Sequence, residues 1–207
     1  MKHILFIGDS ITESGKQGDL DNIGNGYVRI IHDYLKTVHL TEQIKITNKG
    51  ISGNRISDLA ARWREDVLEL NPDILSISIG INDVWRQIDN PQMKQIHPAE
   101  FEMIYNDLLT QVRSKTDASI VLMEPTIIEE DVHSQGNKKL VEYVEIVNGL
   151  AEKFEAIVVP SHLAFLGYLN ADRNYNVTID GVHMNSAGNM LMAATWLEAA
   201  KGLLDKQ

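Results

Sequence analysis

The chain contains no cysteine. That absence excludes disulfides, thiolate metal sites and a cysteine nucleophile together, so any covalent catalysis falls to another side chain. Basic residues are scarce beside acidic ones, 19 Lys plus Arg against 29 Asp plus Glu, for a formal net charge of -10. A field of that sign repels phosphate backbones and anionic lipids, so neither nucleic acid nor a membrane is expected as a partner. Long apolar runs are also lacking. Nothing approaches the roughly 20 residues that a membrane span needs, and the four apolar residues Ile4 to Ile7 are too few for the core of a secretion signal. A cytoplasmic protein is the resulting expectation. There is no Pro/Gly/Ser-rich linker, low-complexity stretch or repeat. With 43% hydrophobic content, residues 1–207 are expected to form one domain with a sizeable core.

What is present is a regular alternation. Short apolar runs bounded by turn residues recur at Ile4 to Ile7, Ile44 to Thr47, Ile74 to Ile79, Ser119 to Met123 and Ala156 to Pro160, and these read as five strands. Between them the helical period appears over Tyr27 to Val38, Ile56 to Leu70, Ala99 to Lys115, Lys138 to Phe154 and Ser186 to Leu204. Strand and helix in alternation imply βαβ units, and near-continuous apolar strands imply a parallel sheet covered on both faces. The expected architecture is a three-layer α/β/α domain with a five-stranded parallel sheet of flavodoxin-like order 2-1-3-4-5, its ligands bound outside the carboxyl ends of the strands. Two long connections follow such ends, Gly8 to Gly26 and Gly80 to Pro98; a third, Glu124 to Asn137, carries Glu129, Glu130 and Asp131 and reads as a solvated rim.

The first strand runs straight into Gly8-Asp9-Ser10, which places a hydroxyl at the crevice edge after a glycine that permits a tight turn. Alone, this tripeptide is equally a turn or a helix cap. A serine nucleophile needs a base, and the base needs an orienting group. Asp180-Gly181-Val182-His183 offers both in a turn-rich segment before the last helix, since three residues bring a carboxylate back to the imidazole Nδ1 and leave Nε2 facing outward. His3, His32, His39, His97, His133 and His162 lack an acid at comparable loop spacing, apart from His32 beside Asp33 on a helix. Acyl transfer also requires donors for the oxyanion. Gly53, in Gly50-Ile51-Ser52-Gly53-Asn54, can lend a backbone N–H, and Asn82, in Gly80-Ile81-Asn82-Asp83, an amide, although either loop alone reads as a simple glycine turn with a capping Asn or Asp.

Taken together, these four segments resemble the four blocks of the SGNH (GDSL) hydrolase family, in order and spacing, from residue 4 to the last helix. The resemblance implies the SGNH hydrolase fold and a serine esterase or lipase/acylhydrolase that needs no metal or cofactor. In that reading Ser10 is the nucleophile, His183 the general base and acid, and Asp180 its orienter. The oxyanion hole consists of the Ser10 and Gly53 N–H groups and the Asn82 side chain. The stretches Asn48 to Asp66 and Gly80 to Lys94 are further similar to small bacterial intracellular esterases that deacetylate xylo-oligosaccharides. This implies a small-molecule carbohydrate acetate as substrate, whereas other members are broad arylesterases and lysophospholipases. Trp85 and Arg86, just after Asn82, are candidate substrate contacts through stacking and hydrogen bonding, or else anchors of their loop. His97 is a helix boundary or a residue closing over the pocket, and a homo-oligomer is expected.

Two other classes stay open on the residues alone. A hydroxyl-rich loop after the first strand, Ser10 to Gly15, is also suited to a flavin phosphate in a flavodoxin-like module, although that leaves Gly53, Asn82, Asp180 and His183 without a role. A metal-dependent phosphoesterase would use Asp9, Asp83, Asp180 and His183, but these lack ligand spacing.

Overall fold

A computed structural model describes residues 1–38, 43–171 and 174–204; His39 lies outside them. Five strands, β1 (Lys2–Gly8), β2 (Ile44–Gly50), β3 (Ile74–Ser78), β4 (Ser119–Met123) and β5 (Ile157–Val159), form one parallel sheet in the order β2-β1-β3-β4-β5. The order is the expected one. Ile4, Leu5, Phe6 and Ile7 are all fully buried because β1 lies centrally with helices on both faces. Edge strand β2 instead leaves Lys45 exposed, a charge that blunts an open edge.

The helices are α1 (Ser10–Glu13), α2 (Tyr27–Val38), α3 (Ile56–Trp63), α4 (Ile81–Asp89), α5 (Pro98–Lys115), α6 (Gln135–Lys153), α7 (Ser161–Asn170) and α8 (Ser186–Leu204). On one face Phe6 meets Tyr27 of α2 and Trp196 of α8, with ring centroids 5.9 and 5.2 Å away. The Trp196 indole donates to Ser76 Oγ at 3.0 Å, which accounts for a serine inside β3. The other face is covered by α3, α5 and α6, where Phe101 packs against Tyr105 and Tyr143.

The structure departs from the sequence expectation in several places. The helix expected through Leu70 ends at Trp63 and widens into a π-helical turn, Arg64–Leu68, where Asp66 pairs with Arg62 and Lys49. The connection from Gly80 to Pro98 contains α4, whose Ile81, Val84, Trp85 and Ile88 recur at helical spacing, a stripe that the expectation of one long loop left unused. Helix α7 has apolar residues on all sides, and α1 is one turn, too short to show a period. The stretch Glu124 to Asn137 is not a solvated rim throughout: Glu124, Thr126, Ile127 and Ile128 are buried, and the exposed part begins at Glu129.

Strand register is what gathers the loops. Gly8 lies beside both Gly50 and Ser78, so β1, β2 and β3 end at one level. A Cβ at Gly50 would lie 2.2 Å from the Glu13 nitrogen, and one at Gly8 would lie 2.3 Å from the Ser78 carbonyl oxygen. Only glycine lets α1 settle so closely over these strand ends.

Candidate active site

Ser10 opens α1 immediately after β1. Asp9 caps that turn, its carboxylate accepting the Ile11 N–H at 2.9 Å. Below it, Thr12 shares a hydrogen bond with Tyr27 Oη at 3.0 Å, and the Asn48 amide donates to the Thr12 and Ile23 carbonyls at 2.6 and 2.7 Å. Thr12 and Asn48 are both buried. The turn carrying Ser10 is therefore part of a buried polar network.

His183 and Asp180 come from the loop before α8. Ser10 Oγ lies 2.9 Å from His183 Nε2, and His183 Nδ1 lies 2.7 Å from Asp180 Oδ2. An imidazole that donates from Nδ1 to a carboxylate keeps its Nε2 lone pair for the Ser10 hydroxyl. Asp180 Oδ1 accepts the N–H groups of Val182 and His183 at 3.0 and 2.8 Å. Burial pushes the Asp180 carboxyl up, but these N–H donors and the imidazole outweigh it and hold the group below the usual carboxylate range. The loop closes on itself through Ile179 N–H to the His183 carbonyl at 2.8 Å. Glu130 ties it down by accepting the Val177 and Thr178 N–H groups at 3.0 and 2.7 Å, together with the Thr178 hydroxyl.

Gly53 sits in an exposed turn at φ +79°, and its N–H has no hydrogen-bond partner among the described residues. The Ser10 N–H is one of the unpaired donors that begin any helix. Asn82 is buried beside them, its amide donating to the Asn54 carbonyl at 3.1 Å and retaining a second hydrogen. Asp83, next along α4, is buried and accepts the Ile56 N–H with both oxygens at 3.2 and 3.3 Å. Burial pushes the Asp83 carboxyl up to about 8 and that of Asp9 up to about 6, and the charge of Asp9 adds to the rise at Asp83.

Trp85 stands edge-on to the His183 ring, with centroids 5.9 Å apart. The Arg86 guanidinium lies 4.6 Å from the centroid of the Trp85 ring, pairs with Asp89 and reaches Asn82 Oδ1 at 3.4 Å. His97 instead precedes α5 and lines a separate groove with Gln87, Lys139 and Tyr143. The structure thus brings Ser10, Asp180, His183 and Trp85 into one contact series, with Arg86 linking Trp85 to Asn82. Sequence reasoning placed Glu130 in a solvated rim and Asp83 among alternative metal ligands, and missed the contacts that each makes here. The position of Asp83 beside Asn82 was the one available signal, and nothing local marked Glu130. Among the described residues no three His, Cys, Asp or Glu side chains are grouped to hold a metal, and no helix is long and apolar enough to cross a membrane.

Comparison with known proteins identifies the family. Residues 6–191 match the GDSL-like Lipase/Acylhydrolase family. The chain is 37% identical over 201 residues to an acetylxylan esterase of Geobacillus stearothermophilus, covering 94% of this chain and 91% of that protein. The crystal structure of Axe2, an acetylxylan esterase from Geobacillus stearothermophilus, superposes with a TM-score of 0.87 at 34% identity, over 100% of this chain and 95% of that one. An alpha/beta hydrolase enzyme from the metagenome of Lake Arreo, Spain, superposes with a TM-score of 0.89 at 31% identity, over 99% and 97%. With the strand order, the serine at the first strand end and this extent of matching in agreement, the chain belongs to the GDSL-like lipase/acylhydrolase family and is a carboxylic ester hydrolase.

Proposed function

We propose that the protein is a serine esterase that removes acetyl groups from carbohydrates such as xylo-oligosaccharides, acting as one domain over residues 1–207. The observation that carries this reading is the hydrogen-bonded series from Ser10 Oγ through His183 to Asp180, at 2.9 and 2.7 Å. The substrate class is supported by the acetylxylan esterase similarity across nearly the whole chain. His183 Nε2 takes the Ser10 proton as Oγ attacks the ester carbonyl. Asp180 keeps the imidazole in the tautomer that can accept it and stabilises the resulting imidazolium. The Ser10 N–H, the Gly53 N–H and the free Asn82 amide hydrogen receive the oxyanion, each such donor being typically worth about 2.7–4 kcal/mol of barrier. His183 then protonates the departing alcohol, and water repeats the sequence on the acyl-enzyme to release acetate. Trp85 stands edge-on to His183, beside the imidazole that carries the proton.

Ser10→Ala should abolish acetate release from acetylated xylo-oligosaccharides while circular dichroism and melting temperature stay near wild type. Retained activity in that variant rejects the mechanism. A wild-type enzyme that prefers octanoyl over acetyl esters rejects the acetyl assignment alone.

A further inference from the structure

Beside Ser10 and His183 the surface opens into a cavity of about 280 Å³, just under the roughly 300–1,000 Å³ usual for ligand pockets and suited to one small ring. Its lining mixes apolar Ile11, Ile179 and Met184 with polar Glu13, Ser14, Ser52 and Asn189. The cavity therefore adjoins Ser10 and His183, with Gly53, Asn82 and Trp85 outside its lining. Because His183 must pass its proton to the departing oxygen, the alcohol half of the ester has to lie within reach of that ring. This cavity is the space available to it.

Glu13 is the last residue of α1 and is half-buried. Its carboxylate accepts the Gly15 and Gln17 N–H groups at 3.2 and 3.5 Å and the Ser52 hydroxyl at 3.5 Å. Among the described residues it has no ion-pair partner within 4.0 Å: the Lys16 ammonium donates instead to the Asn48 and Gly50 carbonyls, at 3.2 and 2.8 Å. An ionised carboxylate offers about four acceptor positions, so these long, peripheral contacts leave strong acceptor capacity facing the cavity.

We propose that Glu13, assisted by Ser52, recognises the alcohol half of the substrate as a neutral polyhydroxy ring. Glu13 accepts hydrogen bonds from hydroxyls near the ester, the ring's C–H face packs on Ile179 and Met184, and the carboxylate charge disfavours alcohols that carry a phosphate or carboxylate. The proposal rests on the carbohydrate-ester reading above and adds the residue that selects the alcohol.

Glu13→Gln keeps the size of the side chain and an acceptor for the turn N–H groups while removing the charge; Ser52→Ala is a second, exposed variant that spares the turn. The quantity to measure is kcat/KM for acetylated xylobiose divided by kcat/KM for 4-nitrophenyl acetate, whose alcohol carries no further hydroxyl. Glu13→Gln should lower this ratio about ten-fold, the size expected for one hydrogen bond to a charged group. Ser52→Ala should lower it less, in the same direction. Glu13→Gln should also relax the preference for acetylated glucose over acetylated glucuronic acid, which a purely structural role would not do. Equal loss on both esters, or an unchanged ratio in an enzyme that cleaves acetylated sugars, overturns the role of Glu13 and leaves the carbohydrate reading intact. A wild-type enzyme that cleaves 4-nitrophenyl acetate but no acetylated sugar overturns both.

Discussion

Ser10 stands on buried ground, with Asp9, Thr12, Asn48, Asn82 and Asp83 around it all 5% exposed or less, whereas the side chains of His183 and Asp180 are 36% and 46% exposed on a surface loop. The nucleophile is held by contacts from distant parts of the chain: β2 through Asn48, α2 through Tyr27, and α3 through the Arg62 guanidinium, which donates to the Gly8 carbonyl at 3.1 Å. His183 and Asp180 are held by their own turn, by the Glu130 carboxylate and by the Glu129 N–H, which donates to the Gly181 carbonyl at 2.7 Å. The difference separates two kinds of consequence. Changes beneath Ser10 act on folding as much as on chemistry, because they disturb a network buried in the domain. Changes at His183 and Asp180 act on chemistry with little effect on folding.

The largest effect that sharpens this contrast is expected from Asp180→Asn. The amide can present a donor to Nδ1, so the imidazole loses its tautomer preference and the imidazolium its counter-charge. We expect kcat to fall about 10³- to 10⁴-fold, the size known for such a change in serine hydrolases of this design. The side chain is exposed and its contacts are local, so the melting temperature should move by less than about 4 °C. Kinetics and thermal melts on one preparation test both halves. A large loss of stability would show that the loop is integral to the fold after all.

How much of this contrast was legible in the sequence follows from what each side depends on. The sheet order, strands β3, β4 and β5 to within a residue at each end and most helix faces were readable because parallel strands and amphipathic helices impose their periods on the sequence. The contact of Ser10 with His183 and Asp180 was foreshadowed because Ser10 follows a strand end and Asp180 and His183 precede the last helix at family spacing. Asp9 was legible as a turn or cap residue after the first strand, and it is the cap of α1, accepting the Ile11 N–H. Helix α4 was legible in the same way, since Ile81, Val84, Trp85 and Ile88 recur at helical spacing, and reading Gly80 to Pro98 as one long loop left that period unused. The role of Glu130 was hidden because it supports Thr178 from 48 residues away, and no local pattern encodes a contact of that range.

Asp83 breaks the same contrast from the buried side, through pH. Its carboxyl rises to about 8 when folded, because burial penalises the charge, while in the unfolded chain it titrates near 4. A carboxyl with a raised folded pKa binds its proton more tightly in the native state. The stability it contributes is therefore complete below about pH 4 and is lost as pH rises toward 8. Asp83→Asn keeps an acceptor for the Ile56 N–H but has no charge to bury. Between pH 5 and 8 the variant should lose less stability than wild type, by about 2–4 kcal/mol. Denaturant melts at the two pH values measure this directly. Parallel pH dependence in the two proteins would mean that the Asp83 charge is accommodated where it lies.

The smallest effect, and the one that joins the two sides, is expected at Arg86. Its guanidinium touches the buried side through Asn82 Oδ1 and the exposed side through the Trp85 ring, which in turn faces His183. With Asp89 fixing its position, Arg86 is well placed to orient the Asn82 amide toward the oxyanion and to hold Trp85 against the imidazole. Arg86→Ala should lower kcat about ten-fold, part of the 10²–10³ that loss of a whole oxyanion donor costs, because Asn82 would remain but turn more freely. KM should change little, since the interaction being lost matters most when the oxyanion has formed. A rise in KM at constant kcat would instead show that the guanidinium meets the substrate itself. Arg86→Lys separates these outcomes further, because lysine keeps a charge for the substrate but lacks the planar group that lies over the Trp85 ring.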